Sequence, residues 1–467
     1  MSLDVLVLGA GQDVGKSCIV VRVDNKYTLM FDCGIHMKYT DSRRFPDFSL
    51  LSKHSLKIDF LFISHFHLDH CGALPYFTEK LGYAVPRPTK AIAPLLLEDC
   101  RKLIEKDEEH SYSSEMIWNC INKVIVLNLN ETLPLAEDLY VRTYYAGHVL
   151  GAVMFHIHTG TSSVVYTGDF NSIADRHLGA AFIDRLHPDL MITESTYSTL
   201  LRDTRRSRER DFLFKIHQAL NRGGKVLIPV FALGRAQELC LVVESYWERM
   251  GLQSIPVFFN AGLTERANAI YRIFPEWMQS EGMGNPFDFK FIRPFDMQFA
   301  ELEGPMLLFA SPGSLQSGAS YEVFKKWASD ERNLVLLPGY AQPGSIAAQL
   351  LSGSKLVALW WPSCIQLSVN IQVQNLSFSL HADGKGILSL IKQCQPSRVM
   401  LVHGGRNGMY ATCSYFFQQG NFAKANRVGA QYSNDISTNR FLHGHHHRFI
   451  FALRCQYIAT CISVCCR

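Results

Sequence analysis

Over residues 1–200 the chain alternates short apolar runs with turn residues. VLVLG, YTLMFDCG, IDFLFISH, KVIVLNL, LYVRTYYAGH, SVVYTGD and LMITES are each strand-length and rich in Val, Ile, Tyr or Phe. Helical patterns such as ALPYFTEKLGY and APLLLEDCRKLIEK fall between some of them, so the order predicts a layered α/β fold. From about residue 203 the texture changes. RRSRERDFLFKIHQALNRGG reads as a helix closed by glycines, followed by the strand KVLIPVF and the helix RAQELCLVVESYWERM. PVFFN, GPMLLFA, YEVFKKWA and NLVLLPG complete a second α/β unit, and from about 371 the earlier style returns with GKGILSLIKQC and RVMLVHGG. The pattern predicts one domain over 1–200, an insert over 201–370 and a return over 371–424. Residues 425–467 carry neither caps nor sustained periodicity and are expected to be a poorly ordered tail.

Composition narrows the class without choosing a function. The 467 residues are 47% hydrophobic and 19% charged, as in ordinary globular chains. A net charge of +4 admits a polyanionic partner but does not argue for one. Thirteen cysteines are scattered without the paired Cys-x-x-Cys spacing of zinc fingers, so they read as small packed residues of a reduced compartment. Any metal site is therefore sought among His and Asp. No secretory signal opens the chain, and the nearest candidate for a membrane anchor, FIFALRCQYIATCISVCC, is interrupted by Arg454.

The segment IDFLFISHFHLDHCG places four ligand-type residues, His65, His67, Asp69 and His70, directly after an apolar strand. In extended chain His65 and His67 point the same way, and a following turn swings Asp69 and His70 towards a neighbouring point. That arrangement suits two cations in one pocket, held by imidazole nitrogens and carboxylate oxygens. A lone His-x-His is as often core or surface; four such residues in six are not. Asp32, His148, Asp169, Glu194 and His403 close further strands, and residues at the same end of several strands converge on one rim of a sheet. Each alone is as well explained by capping or core packing. Together they predict a site.

These residues resemble the motifs of the metallo-β-lactamase superfamily: Asp32 the first, His65-x-His67-x-Asp69-His70 the second, His148 the third and Asp169 the fourth. Glu194 in TESTY, His381 in SFSLHAD and His403 in LVHG resemble motifs A, B and C of its β-CASP branch, which acts on nucleic acids. The resemblance implies an αββα sandwich interrupted by a β-CASP α/β domain, two Zn2+ ions and hydrolysis of RNA. It implies one zinc on His65, His67 and His148, a second on Asp69, His70 and His403, and Asp169 between them. Asp69 would take a proton from water, His381 would act on the leaving oxygen, Glu194 would orient His381, and Asp32 would orient loop groups. FDCGIHMKYTDSRRFPDFS, RDTRRSRERDFL and GGKVLIPVFALGRAQELC are similar to the Integrator-type catalytic subunits. That likeness implies cleavage of nascent transcripts, including snRNA 3′-end processing, in the nucleus or also the cytoplasm. The partners would be a non-catalytic paralogue and scaffold subunits. The cleavage and polyadenylation endonuclease, the alternative within the branch, differs around Arg43–Phe48.

The chain departs from the family at Gly405, where Glu is usual, and at Leu380, where Ala is usual. The loop after Gly82 is shortened, which predicts a missing strand near 84–88, and residues 425–467 look unlike the family's C-terminal dimerisation region. GAGQDVGKS suggests a phosphate-binding loop, but Ala10 stands where its first Gly is needed, so a tight turn is the better reading. The five arginines of RDTRRSRER could meet RNA phosphates or simply be a solvated helix start. HGHHH at 443–447 reads as incidental. Two other functions compete: a small-molecule hydrolase, which has no use for the insert, and a non-catalytic scaffold, which has no use for seven intact ligands.

Overall fold

A computed structural model of the chain describes residues 2–39, 41–78, 83–104, 112–231, 233–260, 269–278, 287–339, 341, 344–359, 365–376, 378–418 and 448–451. Two compact units are present. The first takes residues up to Ala174, Leu178–Leu201 and the chain from His381 onward; the second takes Asp175–His177 and Arg202–Leu380.

The first unit contains two sheets. One runs in the order Leu3–Gly9, Cys18–Val23, Tyr27–Phe31, Phe60–Phe62, Tyr83–Pro86, Val124–Leu127. The other runs Arg448–Phe451, Arg398–Val402, Leu190–Glu194, Ser163–Tyr166, Val153–His158, Leu139–Tyr145, Thr132–Ala136. Their inner faces meet through aromatic rings, with Phe31 stacked 4.8 Å from Tyr166 and Phe62 tilted 5.3 Å from Phe155. Such pairs contribute about 0.5–1.5 kcal/mol beyond the area they bury. The helix Arg87–Ile104 lies against the first sheet and Gly384–Cys394 against the second, which completes a helix–sheet–sheet–helix layering.

Strand direction is what matters for the site. Tyr27–Phe31 and Phe60–Phe62 are parallel, so Asp32 and Ser64 leave the first sheet at one edge. In the second sheet Ser163–Tyr166, Leu190–Glu194 and Arg398–Val402 are mutually parallel, which aligns Asp169, Glu194 and His403. Two antiparallel reversals bring Leu139–Tyr145 back to the same direction, and His148 follows it. The two edges are joined where Val153 N donates to Ser64 O at 3.1 Å.

The second unit holds a parallel six-stranded sheet in the order Ile292–Phe295, Val257–Asn260, Leu307–Ala310, Val226–Pro229, Leu334–Leu337, Gln372–Asn375. Its central strands Leu307–Ala310, Val226–Pro229 and Leu334–Leu337 are apolar on both faces, as a parallel sheet covered by helices requires. Ile228, Phe309 and Leu336 pack with Phe212, Ile216 and Trp247 on one side. Leu227, Leu308 and Val335 pack with Val323, Phe324 and Trp327 on the other.

Three expectations change. A strand does form where one was expected to be missing: Tyr83–Pro86 pairs with both Phe60–Phe62 and Val124–Leu127, because the parallel sheet needs an element between them. Gln372–Asn375 pairs with Leu334–Leu337 in the second unit, so the first resumes at His381 rather than 371. Within the expected tail, Arg448–Phe451 forms a strand beside Arg398–Val402. Its other residues, with the HGHHH run, lie outside the described residues.

The GAGQDVGKS loop joins two antiparallel strands, and Lys16 Nζ donates to Arg43 O (3.1 Å) and Phe45 O (3.3 Å), so the lysine serves a chain crossing. The arginine run begins the helix Arg205–Asn221, capped by the Thr204 side chain. Arg205 pairs with Glu209 at 3.3 Å, and Arg202 donates to Ser379 O at 3.0 Å. Arg206 and Arg210 remain exposed. Among the described residues, no helix is long and apolar enough to cross a membrane.

Candidate metal centre

Every ligand-type residue singled out in the sequence falls within the first unit. The strand ends deliver them through unusual backbone. Asp32 (φ 59°) and His403 (φ 50°) adopt left-handed conformations that turn the chain sharply off each strand, where Asp, Asn and His are tolerated better than other side chains. Gly168 (φ 52°) precedes Asp169, and a Cβ there would lie 2.5 Å from Ser64 Cβ. Only glycine lets these two loops cross so closely.

Three overlapping groups of donor atoms result. In the first, His65 Nε2 lies 3.0 Å from His67 Nδ1, which lies 3.2 Å from His148 Nε2, and both Nε2 atoms lie 3.8 Å from Asp169 Oδ2. In the second, His403 Nε2 lies 3.2 Å from Asp69 Oδ2, and His70 Nε2 lies 3.8 Å from Asp69 Oδ2 and 3.2 Å from Asp169 Oδ2. The donor atoms of His65, His67, His148 and Asp169 lie within 4.8 Å of one another, as do those of Asp69, His70 and His403, and a third group joins Asp169 and His403 to Glu194 and His381. A neutral imidazole has one acceptor nitrogen, so three converging nitrogens cannot all satisfy each other by hydrogen bonds. A cation satisfies them together. Asp169 adds a second sign of fit: its Oδ1 is buried and accepts no hydrogen bond, although His403 Nδ1 lies 3.3 Å away. The donor set, imidazoles with carboxylates, suits zinc.

Behind the ligands sits Asp32, fully buried. Its Oδ1 accepts from Ser64 N (2.7 Å); its Oδ2 accepts from Ser64 Oγ (2.9 Å), Tyr166 OH (2.6 Å) and His70 Nδ1 (2.7 Å). Because Ser64 spends its hydroxyl proton on Asp32, it accepts from His65 Nδ1 at 3.0 Å, leaving Nε2 of His65 to face the first group. Asp32 thus fixes a ring in each of the first two groups, as partners behind metal ligands do. Neither Ser64 nor Tyr166 was singled out in the sequence. Nothing in the spacing marks a buried phenol as a partner of residue 32.

On the open side, Glu194 Oε2 accepts from His381 Nδ1 at 2.8 Å, Glu194 Oε1 accepts from Phe170 N at 2.8 Å, and His381 Nδ1 lies 3.7 Å from Asp169 Oδ2. The side chains of Asp69 and His381 are 25% and 20% exposed, whereas those of His65, His70 and His148 are at most 1% exposed. Together with half-buried His67, Asp69 and His381 are the groups open to a substrate.

Electrostatics agree with a cation site. Burial holds His65 well below its ordinary value, helped by neighbouring His70, and burial lowers His67 to about 4, so both rings stay neutral. Burial opposes ionisation of Asp69 and Asp169, but the adjoining His70 and His403 outweigh it and hold both carboxyls well below the usual range. Burial opposes protonation of His70 and His403, yet the carboxylates, Asp169 foremost, outweigh it and raise both. Protons on these two rings offset the carboxylates, and a metal ion held there would displace them.

This fold and donor set define a zinc-dependent metallo-hydrolase. The chain matches the models of the metallo-beta-lactamase superfamily over residues 11–205, the Beta-Casp domain over 236–350 and the Zn-dependent metallo-hydrolase RNA specificity domain over 366–423. It is 52% identical to Integrator complex subunit 11 of Gallus gallus over 416 residues, covering 86% of this chain and 69% of that one. It is 51% identical to the Integrator complex subunit 11 homolog of Dictyostelium discoideum over 434 residues, covering 88% of this chain and 58% of that one. The chain belongs to the metallo-β-lactamase/β-Casp nuclease family that includes Integrator complex subunit 11. A solved structure of a protein of unknown function from Enterococcus faecalis V583 shares the fold, with TM-score 0.53 and 14% identity over 86% of this chain and 94% of that one.

Proposed function

We propose that this chain is a two-zinc endonuclease that hydrolyses phosphodiester bonds in RNA. The observation that carries the reading is one carboxylate, Asp169, whose Oδ2 lies 3.8 Å from Nε2 of His65 and of His148 and 3.2 Å from Nε2 of His70, beside the His381–Glu194 pair. His65, His67 and His148 would hold one ion, Asp69, His70 and His403 the other, and Asp169 both. Bound zinc polarises a phosphodiester and makes a nearby water more acidic.

The chain's own groups do the rest. Asp69 accepts the proton of the attacking water on its exposed carboxylate. In its doubly protonated form His381 gives Nδ1–H to Glu194 and Nε2–H to the leaving oxygen, so the upstream RNA ends in a 3′-hydroxyl and the ring is left neutral. Asp32 does not reach the reaction; it aims His70, and through Ser64 it aims His65. The likeness to Integrator complex subunit 11 supports nascent transcripts as substrate, an Integrator-type assembly with a non-catalytic paralogue, and the nucleus as location.

The test is a metal count by mass spectrometry combined with incubation of the protein with labelled RNA. Two zinc ions and internal cleavage are expected, and His381→Ala should keep both ions yet lose cleavage. Two ions without RNA cleavage, together with turnover of a thioester, would replace this reading with a small-molecule hydrolase. Loss of metal in His381→Ala would make that residue a ligand.

A further inference from the structure

We propose that Thr196 is a positioning residue that selects which ring nitrogen His403 offers to metal and ties that choice to the Glu194–His381 pair. The inference rests on the two-zinc reading above. Thr196 lies two residues beyond Glu194, just past the end of Leu190–Glu194. Its Oγ1 has three neighbours: Glu194 Oε2 at 2.6 Å, His403 Nδ1 at 3.0 Å and His403 O at 3.1 Å.

A hydroxyl carries one proton and two acceptor lone pairs. Two oxygens compete for the proton, and the carboxylate wins: it is the nearer, and a hydrogen bond to an ionised group is about twice as strong as one to a neutral carbonyl. With its proton on Glu194, Oγ1 can meet Nδ1 of His403 only as an acceptor, so Nδ1 must carry a hydrogen. The alternative acceptor for that hydrogen, Asp169 Oδ1, lies 3.3 Å away but makes no hydrogen bond. In the neutral ring the lone pair is therefore on Nε2, the atom 3.2 Å from Asp69 Oδ2 in the second donor group.

Glu194 Oε2 also accepts from His381 Nδ1 at 2.8 Å. One carboxylate oxygen and one hydroxyl thus connect the histidine that faces the leaving group with the histidine that binds metal. The methyl group of Thr196 has no part in this logic, which makes the hydroxyl separable by substitution.

Thr196→Val keeps the shape and removes the hydroxyl; Thr196→Ser keeps the hydroxyl. Zinc stoichiometry, zinc affinity by chelator competition and the absorption spectrum of the cobalt(II)-substituted protein are measured for both and for the unaltered chain. The valine variant should bind the second ion about 10–100-fold more weakly, the usual loss for a partner behind a ligand. It should retain the first ion and change the cobalt spectrum, while the serine variant matches the unaltered chain. Equal affinities for both ions in valine and unaltered proteins would overturn the assignment, and so would a serine variant as weak as the valine one. Failure of the unaltered chain to hold a second ion would instead sink the two-zinc reading itself. Should Thr196→Val not fold, Thr196→Ala carries the same comparison with serine.

Discussion

Tyr166→Phe removes one oxygen from the support behind the metal centre and nothing else. The phenol is fully enclosed, and burial, reinforced by the charge of Asp32, pushes its pKa far up, so it stays a donor at any working pH. Its hydroxyl donates to Asp32 Oδ2, at 2.6 Å. The ring's stacking on Phe31 at 4.8 Å survives the change, so apolar packing cancels in the comparison. What is lost is a hydrogen bond to a charged group, worth about 1.5–3 kcal/mol. Tyr144→Phe is the internal control. That hydroxyl donates to Asp184 at 3.1 Å, and the Asp184 side chain is 46% exposed, so water can replace the lost partner and the cost should stay below about 1 kcal/mol. Urea unfolding of the two variants without metal gives both differences directly. Equal costs, or a neutral Tyr166→Phe, would refute the reasoning that Asp32 depends on its buried donors. A larger cost with unchanged zinc affinity would keep the energetics but deny that Asp32 aims His70.

Asp169→Asn should lower the zinc count at both positions at once, since its Oδ2 lies near Nε2 of His65 and His148 and near Nε2 of His70; native mass spectrometry reading one fully retained ion would contradict its shared placement. Stability of the metal-free chain should peak near pH 6.5. Below that, the unfolded chain takes up protons that buried His65 and His67 refuse; above it, the unfolded chain releases protons that the carboxylates still hold on His70 and His403 in the folded chain. Zinc should remove the alkaline loss, because it takes the place of those protons; urea titrations across pH with and without zinc test both limbs. Gly168→Ala should destabilise strongly, as its Cβ would lie 2.5 Å from Ser64 Cβ at φ 52°, whereas Gly405→Ala, with nothing within 4 Å, should be nearly neutral by the same unfolding assay.

Much of the site was open to reading along the chain because its signals are local. His65, His67, Asp69 and His70 lie in one loop after one strand, and period-two alternation alone says which side chains can converge. Asp32, His148, Asp169 and His403 each follow an apolar strand and Glu194 ends one, and strand direction is a property that order along the chain largely sets. The boundary at 371 failed for a different reason. A short strand such as Gln372–Asn375 carries no mark of which sheet it will join, and pairing with Leu334–Leu337 settled it. The same holds for Tyr83–Pro86, which neighbours on both sides recruit.

What the residues determine unaided is therefore the inventory: apolar strands, the ligand types at their ends, and an insert between two parts of one domain. What only the folded chain decides is which atom of each residue is used. Thr196 and His403 meet across 207 positions, and Tyr166 reaches Asp32 across 134. A ring nitrogen becomes donor or acceptor according to the partner on its far side, and hydrogen bonds are directional over a few tenths of an ångström. Periodicity carries information about faces, not about such distances, so the chemistry of the pocket is written by contacts that no stretch of sequence contains.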